Sequence, residues 1–308
     1  MNRIYSKVWN RSRGQWVSAI LLFSGCMGWA SQASAQSANC TYTNTAAGTM
    51  ACGYQSTATG QAAEAVGNAA NAYGNQTTAI GSGAQAGTSG GSTNQSTAVG
   101  VYSGATGDQS TAMGNNAQAQ GNSSIAIGGD DLDKVANATY TAVVNGKTTT
   151  ATGAAIYTAL TGSSAIAAGT YYSPTAGDGS VALGPQARAG GSTTGSTPGS
   201  SWNSLGEFDI AIGAQAYAIG FSSIALGTGA QATADTSFAI GPNAQATATS
   251  TLAIGTSSKA SSANALAIGT GGTNAATYTQ ASGSGATALG GNATAGANAA
   301  ASDAVAIG

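Results

Sequence analysis

The chain has 308 residues and not one histidine. That removes the usual general base, the imidazole metal ligands and any Ser-His-Asp triad. Charged residues are 6% of the chain and aromatic residues another 6%. An ordinary enzyme core of Leu, Ile and Phe cannot be built from such a composition. Low hydrophobicity by itself suggests disorder, but disordered chains usually carry high charge and lack periodicity. Here the charge is low and the glycines, 47 in number, recur on a fixed spacing.

The clearest block is 209–269. Gly213, Gly227, Gly241, Gly255 and Gly269 fall 14 residues apart. Each closes the same phrase: DIAIG, SIALG, SFAIG, TLAIG, ALAIG. An aliphatic residue precedes each glycine, and before it stand Ala211, Ala225, Ala239, Ala253 and Ala267. A fixed period of this kind marks a chain built by stacking one small unit.

The same ruler extends upstream to Gly53, Gly67 and Gly81. Gly100 is late by five, which places a loop at 87–93, and Gly114 and Gly128 return to step. The pattern then breaks, resumes at Ala165-Ile166-Ala167-Ala168-Gly169 and at Gly184, and breaks again over 191–208. Past Gly269 the spacing loosens to 21 and 18, giving Gly290 and Gly308.

The other half of each repeat alternates small and polar residues. Asn71, Gln85, Gln118, Arg188, Gln231, Gln245 and Lys259 each sit between two small residues, as in Ala230-Gln231-Ala232. Period-two alternation marks a half-buried strand, small side inward and polar side outward. One coil therefore holds two short strands joined at glycine-bearing turns, and the fold class expected is an all-β parallel solenoid. The aliphatic residue is expected to fill the coil. The alanine beside it is expected to pack against neighbouring subunits around a symmetry axis; packing inside its own coil is the alternative.

Residues 1–15 hold Arg3, Lys7, Arg11 and Arg13 and no acid. An apolar run at 16–30 follows, shorter than the roughly 20 residues that span a membrane. Ala33-Ser34-Ala35 ends it as a small-x-small site, so residues 1–35 read as an export signal cleaved after Ala35. A rival cut at Phe23-Ser24-Gly25-Cys26 is less favourable because Phe is a poor first residue there. Cleavage leaves four bases against ten acids, a net charge of −6, which argues against nucleic acid as a partner. Cys40 and Cys52 remain. Export permits a disulfide between them, while Cys52 also fits the aliphatic slot as a small core residue.

Residues 129–163 differ in character. Asn145-Gly146 lies between two β-prone runs, 140–144 and 147–152, which signals a hairpin, and 153–160 suits a helical turn or two. Asp130, Asp131 and Asp133 lack the spacing of a calcium loop and read as a solvated turn. Gly146-Lys147-Thr148 lacks the leading glycine of a phosphate loop. Glu64, Asp108, Asp178, Glu207, Asp209, Asp235 and Asp303 are scattered, with no facing pair for hydrolysis. No catalytic, metal or cofactor residue is assigned. The outward polar row is the candidate for ligand contact, through many weak contacts along a regular surface.

These residues resemble a known family. The N-terminal MNRIYSKVWNRSRGQWVSA is similar to the extended signal peptide region of type V secreted proteins. The SIAIG, SFAIG and TLAIG repeats resemble the YadA-like head of trimeric autotransporter adhesins. The resemblance implies a left-handed parallel β-roll, three chains around one axis, and display on a Gram-negative cell surface. It also implies binding to host matrix proteins such as collagen, to cells, or to sister bacteria. The organisation expected is a signal at 1–35, head repeats at 36–128, a head insert at 129–163 and further repeats at 164–308. Neither stalk heptads nor membrane-barrel strands are evident, so the chain is expected to be a fragment of a longer protein or a truncated gene product. Two rival classes are weaker. An ice-binding solenoid needs outward Thr-x-Thr ranks, and a β-helical polysaccharide enzyme needs a carboxylate pair.

Overall fold

The computed structural model describes residues 7–10, 15–18, 40–43, 48–91, 93–129, 136–144, 147–161, 174–190, 208–270, 277–291 and 295–308. Each coil opens with a three-residue strand, such as Ile224–Leu226, Phe238–Ile240 or Leu252–Ile254. A glycine turn follows, then a two-residue strand such as Gln231–Ala232 or Gln245–Ala246. A second turn leads to the next coil. Equivalent strands stack in parallel and in register: Ala225 lies on Ala239, Ala239 on Ala253 and Ala253 on Ala267. The longer strands form a 15-stranded sheet and the shorter ones a 13-stranded sheet. The expected all-β roll of parallel coils is what the chain forms.

The glycine corner requires glycine. Gly241 and Gly255 have φ of 122° and 118°, and a Cβ on Gly241 would stand 2.8 Å from the carbonyl carbon of Gly255. The opposite corner is left-handed as well, yet ordinary residues hold it: Gln76 (φ 56°), Thr236 (51°) and Ser250 (57°).

The interior is made of alanine. Ala211, Ala225, Ala239, Ala253 and Ala267 are fully buried, as are Ala230, Ala232, Ala244 and Ala246 from the other sheet. Serine or threonine opens most rungs and is buried too, as at Thr77, Ser110, Ser124 and Thr251. These hydroxyls donate to the carbonyl three residues back, Thr77 to Gly74 at 2.7 Å and Ser124 to Gly121 at 2.6 Å. A polar group inside so thin a roll is thereby satisfied by its own turn.

This corrects the expected division of labour. The alanine before each aliphatic residue faces its own coil and not a neighbour. The aliphatic residues face out: Ile80 is 42% exposed, Ile212 41% and Ile127 37%. Strand alternation fixes the sense, since one face of a three-residue strand takes the middle residue and the other takes the two flanks. Two alanine-lined sheets leave no room between them for isoleucine. Ala253→Leu is accordingly expected to cost about 1–3 kcal/mol by overpacking, read as a lower urea midpoint.

The stack runs through its interruptions. Ile125–Ile127 pairs directly with Val181–Leu183 across the insert. The phrase at Ala165–Gly169 lies outside the described residues. Within the insert, Thr139–Val144 and Lys147–Thr152 pair as an antiparallel hairpin, followed by the helix Gly153–Thr161. The helix returns to the roll, where Tyr157 Oη donates to the Thr228 carbonyl at 2.7 Å. At the other end, Cys40–Thr43 runs antiparallel to Thr49–Cys52, and Cys40 and Cys52 are bridged at 2.06 Å. The bridge ties a covering strand over the first parallel rung. Lys7–Asn10 and Gln15–Ser18 form a separate antiparallel pair. Ala35, Asp130, Asp131, Asp133, Asn145, Gly146 and 191–207 lie outside the described residues.

Candidate functional site

Two faces of the roll and one buried acid carry the chemistry. The first face is the outer side of the 13-stranded sheet. Asn71, Gln85, Gln118, Arg188, Gln231, Gln245 and Lys259 stand there in one column, each partly exposed. Gly104, Thr175 and Tyr217 interleave in the same register. The column is not uniform. Asn71 Nδ2 donates to the Ala69 carbonyl at 2.9 Å and Gln85 Nε2 to Gly87 at 3.0 Å, so both amides lie back on their own turns. Gln118 folds over Gly104 to reach the Tyr102 carbonyl at 3.0 Å. Downstream, the Arg188 guanidinium stacks 5.1 Å from the centre of the Tyr217 ring. Gln231, Gln245 and Lys259 follow without a side-chain bond among the described residues. The half from Arg188 to Lys259 is therefore the half that presents free groups. Tyr217 was missed in the sequence, although Ala216-Tyr217-Ala218 carries the same small-x-small signal.

The second face is the outer side of the 15-stranded sheet, and it is apolar. From Ile125 onward both flanking columns are hydrophobic: Ile125 and Ile127, Val181 and Leu183, Ile210 and Ile212, continuing to Leu266 and Ile268. Upstream the first column turns polar, with Glu64, Thr78, Thr97 and Thr111. A contiguous apolar face on this scale marks an interaction surface.

Among the carboxylates, three staple one rung to the next at the second corner. Asp108 Oδ1 accepts from the Asn94 N–H at 2.7 Å, Asp178 Oδ1 from Asn122 at 2.6 Å, and Asp235 Oδ1 from Phe221 at 3.0 Å. Asp209 differs. It occupies a rung that Ser or Thr usually opens, and it is fully buried. Its Oδ1 accepts from the Ser223 N–H at 2.7 Å and the Ser223 hydroxyl at 2.9 Å. Its Oδ2 lies within hydrogen-bonding geometry of no group among the described residues, although the Gly190 backbone is near enough to act on the carboxylate. Burial raises its pKa from 3.8 to about 6, with the Ser223 bonds opposing and the charge on Asp235 adding to the rise.

A folded pKa above the unfolded one means that the native state favours the protonated acid. This contribution is greatest below 3.8 and is lost as pH rises through about 6. Asp209→Ser is expected to raise stability at pH 7.5 by on the order of 2 kcal/mol. That advantage should close between pH 6 and pH 4. Urea midpoints at the two ends of the range measure it, and an advantage independent of pH would contradict burial as the cause.

The family model described as the YadA head domain repeat (2 copies) matches residues 58–84, 105–130, 176–193, 218–244 and 246–271. The chain carries YadA head repeats. No curated protein matches it. Where described, the matched stretches of this YadA-like head lie on the stacked rungs, and the gaps between them include positions 87–93, most of the insert and 194–207. In the YadA repeat phrase of this chain, the invariant-looking Ala is the interior residue and its aliphatic neighbours form the apolar face.

Proposed function

We propose that the chain is the head of a homotrimeric surface adhesin, exported by residues 1–35 and displayed on the outer membrane of a Gram-negative cell. It attaches the bacterium to host matrix proteins or host cells, and to sister cells in aggregates. It acts by binding, without catalysis. The observation that carries this reading is the apolar face of the 15-stranded sheet. In a single chain Ile212 and its neighbours are left in water. Three copies with these faces turned to one axis cover them, and a closed ring uses the same surface in every copy.

Assembly leaves the 13-stranded sheet outward, with the Arg188–Tyr217 stack and Gln231, Gln245 and Lys259 repeated on three sides. Weak contacts repeated in this way gain from avidity on an extended, repetitive ligand such as a matrix fibre. In this layout 36–128 and 164–308 are head and 129–163 is an appendage clamped by Tyr157. The test is binding of the purified chain to immobilised collagen and fibronectin. Retention is expected on at least one of them, weakened by the Arg188→Ala, Gln231→Ala double variant. Retention on neither, together with no aggregation of cells displaying the chain, would overturn the reading.

A further inference from the structure

The corner opposite the glycines carries a feature that neither face explains. Over four rungs near the N-terminal end it forms a shallow groove of about 400 Å³, lined by Asn75, Gln76, Asn94, Gln95, Asp108 and Gln109 among others. Gln76, Gln95 and Gln109 are the left-handed residues of consecutive corners, with φ of 56°, 54° and 57°. Left-handed backbone favours Gly, Asn and Asp. At the same corner elsewhere stand Ala62, Ser123, Ser222 and Thr236. Three glutamines in a row are therefore not demanded by the fold.

Their amides form a ladder. Gln95 Nε2 donates to Gln76 Oε1 at 3.0 Å, and Gln109 Nε2 to Gln95 Oε1 at 3.2 Å. The chain of bonds leaves Gln76 a donor and Gln109 an acceptor facing the groove. The row beneath is fixed by rung-to-rung bonds, Gln61 N–H to Asn75 Oδ1 at 2.8 Å and Asn94 N–H to Asp108 Oδ1 at 2.7 Å. The result is a preorganised strip of carboxamides with one carboxylate and no cation in its lining.

We propose that this groove binds a neutral, linear, β-linked glycan lying along the roll axis. Paired amide donors and acceptors match vicinal hydroxyls, each of which both gives and takes a hydrogen bond. The rungs repeat at about 4.8 Å, close to the advance of one sugar in an extended β-linked hexose chain. A sulfated or phosphorylated chain finds no counter-charge here and meets Asp108. The site is separate from the column at Arg188–Lys259 and does not rest on matrix binding.

The test is saturation-transfer NMR and calorimetry of the purified chain with cellohexaose, beside maltohexaose, which coils, and a heparin hexasaccharide. Cellohexaose is expected to bind in preference to both. Gln95→Ala, for which Ala62 shows that the corner accepts alanine, is expected to weaken it about fivefold or more. Gln245→Ala on the outer sheet is expected to leave it unchanged. Circular dichroism confirms that each variant keeps its sheet content. No binding of cellohexaose, equal binding by Gln95→Ala, or preference for maltohexaose or heparin would overturn the proposal. Matrix retention unchanged in Gln95→Ala would separate this site from the adhesive one.

Discussion

Gly255→Ala is expected to cost about 3–5 kcal/mol and to break the stack at its rung. Two effects combine. The backbone at Gly255 has φ of 118°, where an L side chain is strained by about 1–3 kcal/mol. The added methyl also points at the carbonyl of Gly269 on the next rung, so the two rungs must separate or shift. The N–H of Gly255 donates to the Ile240 carbonyl at 2.7 Å and that of Gly269 to Ile254 at 2.9 Å, and a shift weakens such bonds. In a roll each coil touches only its neighbours, so the damage divides the stack instead of spreading through it. Hydrogen exchange checks this: protection should fall over 237–270 and persist over 93–129. Ala at Gly90, where a Cβ meets nothing, is the comparison and isolates the strain of a positive φ (72°) from the clash.

The second large effect is on assembly. Leu252→Lys with Leu266→Glu places opposite charges on paired rungs of the apolar face. Both positions are half-exposed, so a single roll accommodates them, and the two side chains can pair with each other. In a trimer each level would instead hold three like charges around the axis without water. Like-charge contact in a desolvated interface is strongly unfavourable. The variant is expected to run as a single folded chain on size exclusion, with unchanged far-ultraviolet dichroism and lost matrix retention. Assembly that persists would show that this face is not the interface.

Much of the roll was readable because its period is set by the glycines. Gly213 to Gly269 must stack on one another, so their spacing records the coil length directly. The alternation around Gln231 and Gln245 was equally plain, because one side of that sheet is dry and the other wet. The longer strand misled for a physical reason. Hydrophobicity alone sends Ile212 inward and Ala211 outward, whereas the width of the interior admits only alanine and leaves isoleucine on the outer face.

Other features depend on three-dimensional register. Asp209 looks like one more scattered acid until it is placed in a buried serine rung beside Ser223. The glutamine ladder joins residues 19 and 14 positions apart across the interrupted spacing at 87–93, and only the corner geometry brings Gln76, Gln95 and Gln109 together.

The most direct measurement is the solution mass of the purified, unmodified chain by light scattering at several concentrations. A homotrimer built on the apolar face predicts three chain masses, held on dilution. A stable, soluble species of one chain mass would contradict it.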